Sequence, residues 1–235
     1  MDGAAAMATA CEKPALRENP AALLAALHVL HHRHHGRSIH VLMPYADALR
    51  PFAAWYVQLW AESLGKRFDR KGDRVESGPT PVPAVGATDQ HAQVQLFMEG
   101  PRDKLVTFVS VDQPAHDLTI PSSTGAFGYL GGHTHRSLLD AERRGTTLAL
   151  ARDGRPSLTV HLPRIDPPAV GALLYLYEMA TAVAGEMYDV DAFDQPGVEL
   201  GKRLASGLLG KPGQEDAAQE VREAERTLPA RYRLE

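Results

Sequence analysis

The 235-residue sequence predicts an α/β fold: a doubly wound parallel sheet flanked by helices on both faces, with a helical carboxy-terminal extension. Three observations predict it. Short apolar runs bounded by Gly or Pro read as strands buried on both faces. Segments of ten or more residues at helical spacing separate them. That alternation is the order that right-handed crossovers build into one parallel sheet. The length suits one large domain with a sizeable core. We expect a lead-in over 1–18, the main domain over 19–210 and a polar tail over 211–235.

The first helix is predicted from about Asn19 to His34. Asn19 can cap it, Pro20 suits its first position, and Leu23, Leu24, Leu27 and Leu30 recur at helical spacing before Gly36. Ser38 to Met43 is an apolar run bounded by Gly36 and Pro44, hence a buried strand. Asp47 to Leu64 returns to helical spacing through Leu49, Phe52, Trp55, Tyr56, Leu59 and Trp60, with Gly65 where a left-handed cap belongs. Lys66 to Pro83 is charged and rich in Gly and Pro, and reads as loop. Val82 to Val85 makes a very short strand, Asp89 to Met98 a helix and Lys104 to Val111 a second firm strand. After Pro114 and Pro121, Ala126 to Arg152 is predominantly helical with a break at Gly131 and Gly132, and Leu158 to Leu162 is a further strand. Asp166, Pro167 and Pro168 open a helix running to Val183. Gly197 to Leu209 is the last firm helix, and Gly213 to Glu235 has the charge pattern of a solvated one.

A net charge of −4 argues against a nucleic-acid polyanion as partner. The single cysteine, Cys11, has no thiol with which to form an internal disulfide or share a metal, so a reducing cytoplasm is the expected home. No stretch of 18 uncharged apolar residues and no signal peptide are present, so no membrane partner is expected. His28, His31, His32, His34 and His35 include two i,i+4 pairs that could chelate a metal, but no carboxylate or thiol adjoins them, and they read as a solvated helix end. Ser122 to Gly125 resembles a phosphate-cradling turn and reads as an ordinary polar loop.

Parallel sheets of this kind bind ligands beyond the carboxyl ends of their strands. Residues just after Met43, Val85, Val111 and Leu162 are therefore expected on the functional edge, with Glu62, His91 and Lys202 near it. Glu62 ends a helix bearing Trp55, Leu59 and Trp60, an apolar shelter that suits a general base. Histidine is the side chain poised for proton transfer near neutrality, a role open to His91, which read alone near a helix start is a structural histidine. Lys202 lies in the first turns of a helix, where a cation opposes the dipole; read alone, it and Glu199 make a surface ion pair.

Gly185 to Tyr188, then Phe193 to Lys202 reading Phe-Asp-Gln-Pro-Gly-Val-Glu-Leu-Gly-Lys, resembles the carboxy-terminal signature of the phosphoglucose isomerase family. Two further blocks resemble the same family in the same order: Gln58 to Lys66, reading Gln-Leu-Trp-Ala-Glu-Ser-Leu-Gly-Lys, and Gly86 to Gln95, reading Gly-Ala-Thr-Asp-Gln-His-Ala-Gln-Val-Gln. The resemblance covers about Asn19 to Leu209.

It implies a flavodoxin-like sugar-isomerase (SIS) domain, the second of two in the family. The implied reaction interconverts glucose 6-phosphate and fructose 6-phosphate through a cis-enediol, in glycolysis and gluconeogenesis. By the same resemblance Glu62 shuttles the proton between two sugar carbons, and His91, contributed across a dimer interface, takes part in ring opening. Gln195 and Lys202 bind the sugar and assist that opening. No metal or organic cofactor is implied; a hexose 6-phosphate and a second copy in a homodimer are. The Gly-Gly-Arg block and the Ser/Thr/Lys-rich phosphate loop of the family's first domain have no counterpart in these residues. The expectation is a carboxy-terminal part of the enzyme, inactive or nearly so alone, with a non-catalytic sugar-phosphate-binding or assembly domain as the alternative.

Overall fold

A computed structural model describes residues 1–227, so residues 228–235 of the expected tail helix lie outside the described residues. Two compact units divide the chain, Met1–Ala192 and the segment from Phe193 onward. The first contains, in order, α1 (Asp2–Cys11), α2 (Pro20–His35), β1 (Ile39–Pro44), α3 (Arg50–Leu64), β2 (Lys66–Phe68), β3 (Arg74–Ser77), β4 (Thr80–Pro83), α4 (Gln95–Glu99), β5 (Lys104–Gln113), α5 (His135–Arg152), β6 (Ser157–Arg164) and α6 (Pro167–Tyr188). The second contains α7 (Pro196–Leu208) and α8 (Glu215–Thr227).

The main sheet runs β4-β1-β5-β6 with every pairing parallel; Val41 lies opposite Val82 on one side and Val106 on the other, and Val109 opposite Val160. This order reverses between β1 and β5, the switch point of a flavodoxin-like doubly wound sheet. Residues 40–44 of β1 and 104–110 of β5 are buried without alternation, as strands covered on both faces must be. One core packs Trp60, Tyr56 and Phe52 of α3 against Tyr177 and Leu173 of α6 and Leu24 of α2. The other holds Tyr45, Phe97, Phe108 and Leu150.

Local chemistry sets the element ends. Asn19 accepts from the Ala22 N–H at 2.9 Å and starts α2, while its amide nitrogen donates to the Cys11 and Lys13 carbonyls and ties down the chain arriving from α1. Asp166 caps α6 in the same way, accepting from the Ala169 N–H. Thr134 and Ser137 form a reciprocal capping box at α5.

Several expectations are corrected. The stretch read as loop from Lys66 holds an antiparallel hairpin, β2 with β3, tethered to α6 by Arg70, which pairs with Glu186 and Asp189, each at 2.9 Å. Its residues are charged and mostly exposed, so no apolar period marks it in the sequence. Gly65 is not left-handed, with φ −76°; it is glycine because a Cβ would stand 2.7 Å from the Ala61 carbonyl oxygen. Ala126 to Gly132 carries only a 3₁₀ turn, Gly128–Leu130, before α5 begins. Residues 2–11, within the expected lead-in, form α1, which packs on α6 so closely that a Cβ on Gly3 would overlap the Pro168 carbonyl. Its run of small residues gives no apolar period to read.

The histidine cluster is not a solvated helix end either. His28 and His40 are buried with Nδ1 to Nδ1 at 2.8 Å, His28 Nε2 lies 3.3 Å from Thr107 Oγ1, and His32 Nδ1 lies 2.7 Å from the Tyr188 hydroxyl. His34 and His35 alone of the five stay exposed. Strand β4 forms the sheet's edge. The N–H groups of Thr80, Ala84 and Gly86 donate inward to the Ser38, Leu42 and Pro44 carbonyls, and Pro81 and Pro83 occupy alternate positions.

Candidate active site

Because α3 follows β1 in a parallel sheet, it must run back toward the sheet's amino edge, and Glu62 sits in its last turn. The close packing of Gly78 on Leu64 fixes that end beside the start of β4: a Cβ on Gly78 would come 2.7 Å from the Leu64 carbonyl oxygen. Ser77 Oγ donates to that same oxygen at 3.0 Å. Buried Lys66 donates to the Glu62 carbonyl at 2.6 Å. The Glu62 side chain is half-buried and receives a long, 3.5 Å hydrogen bond from Gln58. Trp60, two residues earlier, is fully buried and anchors the turn in the core.

His91 follows the carboxyl end of β4. The connection is pinned twice at its start: the Val85 N–H donates to Asp89 Oδ2 at 2.6 Å, and the Asp89 N–H donates to the Val85 carbonyl at 2.8 Å. Gln90 then opens a π-helical turn, Gln90–Val94, that leads into α4. Tyr45 Oη donates to Gln90 Oε1 at 3.0 Å, and Gln90 Nε2 donates to Thr146 Oγ1 at 2.9 Å. His91 itself is exposed.

Glu62 and His91 therefore stand at opposite edges of the sheet. Residues 80–85 alone separate them by roughly 16 Å at about 3.3 Å per residue. The expectation that Glu62 lies near the carboxyl edge is corrected, and the reason is the direction a helix must take after a parallel strand. In the second unit, Gln195 is the residue preceding the first turn of α7, exposed and without a side-chain capping bond. Lys202, on α7, is exposed and pairs with Glu199 at 2.9 Å; Arg203 bridges to Asp216 and Glu220 of α8.

At the switch point a cleft of about 440 Å³ opens beyond β1 and β5, lined by Tyr45, Asp47, Ser110, His135, Arg143 and Ile165 among others. Ser110 Oγ lies 2.6 Å from His161 Nδ1, and Arg143, 9% exposed, pairs with Asp140 at 2.7 Å. Sequence reasoning marks this edge through the residues after Met43 and Val111 but misses Tyr45, Gln90 and Thr146 as a connected set. Gln90 is visible inside the Gly86 to Gln95 block; its partners are remote in sequence. Ser122 to Gly125 is an exposed loop that leads into the short 3₁₀ turn. Among the described residues no group of three or more His, Cys, Asp or Glu side chains is placed to hold a metal ion, and no helix is long and apolar enough to cross a membrane.

Strand order, switch point and the helices on both faces define a flavodoxin-like α/β domain of the doubly wound class. The chain belongs to the phosphoglucose isomerase family, whose model matches residues 1–126 and 137–227. The match begins at residue 1, so α1 is part of the family region. The chain is similar to the glucose-6-phosphate isomerase of Carboxydothermus hydrogenoformans, 48% identical over 222 residues that cover 93% of this chain and 48% of that protein. It is also 48% identical to that of Rubrobacter xylanophilus over 199 residues, covering 83% and 44% of the two. Among solved structures, a glucose-6-phosphate isomerase from Chlamydia trachomatis matches with a TM-score of 0.82 at 26% identity, covering 95% of this chain and 45% of that one. A hypothetical protein from Thermus thermophilus matches with a TM-score of 0.81 at 45% identity, over 88% and 49%. The chain spans about half the length of the curated relatives it matches.

Proposed function

We propose that this chain is the carboxy-terminal sugar-isomerase part of an enzyme that interconverts glucose 6-phosphate and fructose 6-phosphate, with the phosphate gripped by sequence outside these 235 residues. The observation that carries the reading is the set of three ordered blocks in a chain almost half identical to curated glucose-6-phosphate isomerases.

In this reading His91 and Lys202 open the ring: a proton leaves the anomeric hydroxyl and one reaches the ring oxygen. The Glu62 carboxylate then takes the proton from carbon two of the open aldose while the carbonyl oxygen on carbon one gains one, giving a cis-enediol. The same carboxyl returns its proton to carbon one as the hydroxyl on carbon two becomes the ketone. One group serves both carbons because they are neighbours on one face of a planar intermediate. Gln195 orients the sugar. The placement of Glu62 and His91 at opposite ends of the strands in one chain supports a His91 contributed by a second copy in a homodimer.

Glu62→Gln tests the assignment in the chain supplemented with the amino-terminal half of a curated relative. Turnover of fructose 6-phosphate should fall about 10²- to 10⁴-fold, the range for losing a general base, while sugar-phosphate binding persists. Unchanged turnover would refute the role. A second reading, a non-catalytic binding or assembly domain, draws on the chain spanning half its relatives' length. Isomerisation that appears only when the amino-terminal half is added supports the split enzyme; binding with no turnover in either case supports the second reading.

A further inference from the structure

We infer that Tyr45 is a positioning residue for His91, acting through Gln90; this rests on the reading of His91 given above. The His91 side chain is exposed and makes no hydrogen bond or ion pair among the described residues, so its place is set by the backbone that precedes it. Three contacts hold that backbone, and Tyr45 makes two of them.

The first is steric. A Cβ on Gly86 would fall 2.4–2.5 Å from three atoms of the Tyr45 ring, so the loop lies flat on the ring and only glycine fits there. Tyr45 is itself fixed: it is 5% exposed, sits directly after β1, and packs edge-on against Phe108 with ring centroids 5.9 Å apart. The second is polar, the hydroxyl donating to the Gln90 side chain, whose other end donates to Thr146 of α5. The third, between Val85 and Asp89, closes the loop on its own strand.

Gln90 thus stretches from the end of β1 to the middle of α5, and His91 is the next residue, on a π-helical turn. Such turns insert a residue into the helical path and re-aim the side chain there. A group that must meet a sugar bound outside its own chain gains from this arrangement, because a misplacement of about 1 Å can cost about a hundredfold in rate.

Hydrogen exchange of the 235-residue chain tests the device with Tyr45→Phe, which keeps the ring against Gly86 and deletes only the donor. Amides of residues 86–95 should exchange at least about tenfold faster, a loss of protection equivalent to about 1.4 kcal/mol, while residues 58–66 around Glu62 keep their protection. Thr146→Val, which removes the far anchor, should do the same. In the chain supplemented with the amino-terminal half of a relative, Tyr45→Phe should lower kcat about 10-fold or more with KM unchanged. Wild-type protection of 86–95 in both variants overturns the inference, as does equal loss across 58–66, which marks a global effect. If instead His91→Ala turns over as fast as wild type, the ring-opening role of His91, and with it the functional meaning of the Tyr45 contact, falls, while the isomerase reading and the exchange result stand on their own.

Discussion

His28 and His40 are the buried groups with the clearest consequence at the scale of single residues. Burial, with a smaller push from His31, lowers His28 to about 3, and burial with the neighbouring imidazoles holds His40 well below the usual value. An unfolded chain protonates both rings below about pH 6.5, whereas the folded chain keeps them neutral. Their contribution is therefore complete above about pH 6.5 and is lost as pH falls below it, for His28 down to about 3. Urea midpoints at about pH 7 and about pH 5 check this; equal midpoints would show that the pair is not held neutral. The nearby Trp60, wholly buried, is expected to cost about 3–5 kcal/mol when changed to Ala, seen as a fall in melting temperature. Spacing alone marks Trp60 as core. His28 cannot be recognised that way, because a polar ring on a helix becomes a core residue only when a strand twelve residues on supplies its partner.

The end of α3 shows how connections between elements place the site. Gly78 has φ +106° and no room for a Cβ against Leu64, so Gly78→Ala should cost about 1–3 kcal/mol and loosen the Glu62 turn, measured by denaturation and by exchange at 58–66. Asn19→Ala removes a cap and two tethers to the α1 connection together, and is expected to cost about 1–2 kcal/mol in a urea melt. Strands β1 and β5 and helices α2, α3 and α6 are legible in the sequence because burial on both faces or one face imposes a period. The β2–β3 hairpin is not: its residues are mostly exposed, so its order comes from Arg70 reaching Glu186 and Asp189, more than a hundred residues away. Helix α1 is hidden for the opposite reason, since it approaches α6 through Gly3 and Ala4 and adds only Met7 and Cys11 as larger side chains against the core, too few to set a period. The direction of α3, and with it the edge on which Glu62 lies, is contained in the parallel connectivity, though not in any local motif.

For the molecule as a whole, the separation of Glu62 from His91 makes a prediction about copies. If one active site draws Glu62 from one copy and His91 from another, two inactive variants should repair each other. Mixing Glu62→Gln with His91→Ala, after unfolding and refolding together with the amino-terminal half of a relative, should restore about a quarter of wild-type turnover, because half the dimers are mixed and each has one intact site. Persistent inactivity would show that the two residues serve one copy. How copies meet is constrained by β4. Its inward positions donate to β1, while the positions facing away from the sheet are Pro81 and Pro83, which have no N–H to offer. A border that presents acceptors without donors cannot template another ribbon of backbone, so this flank is barred from amyloid-like growth. Any neighbour that meets this flank at Pro81 and Pro83 finds no backbone donor there and must be recognised through other groups.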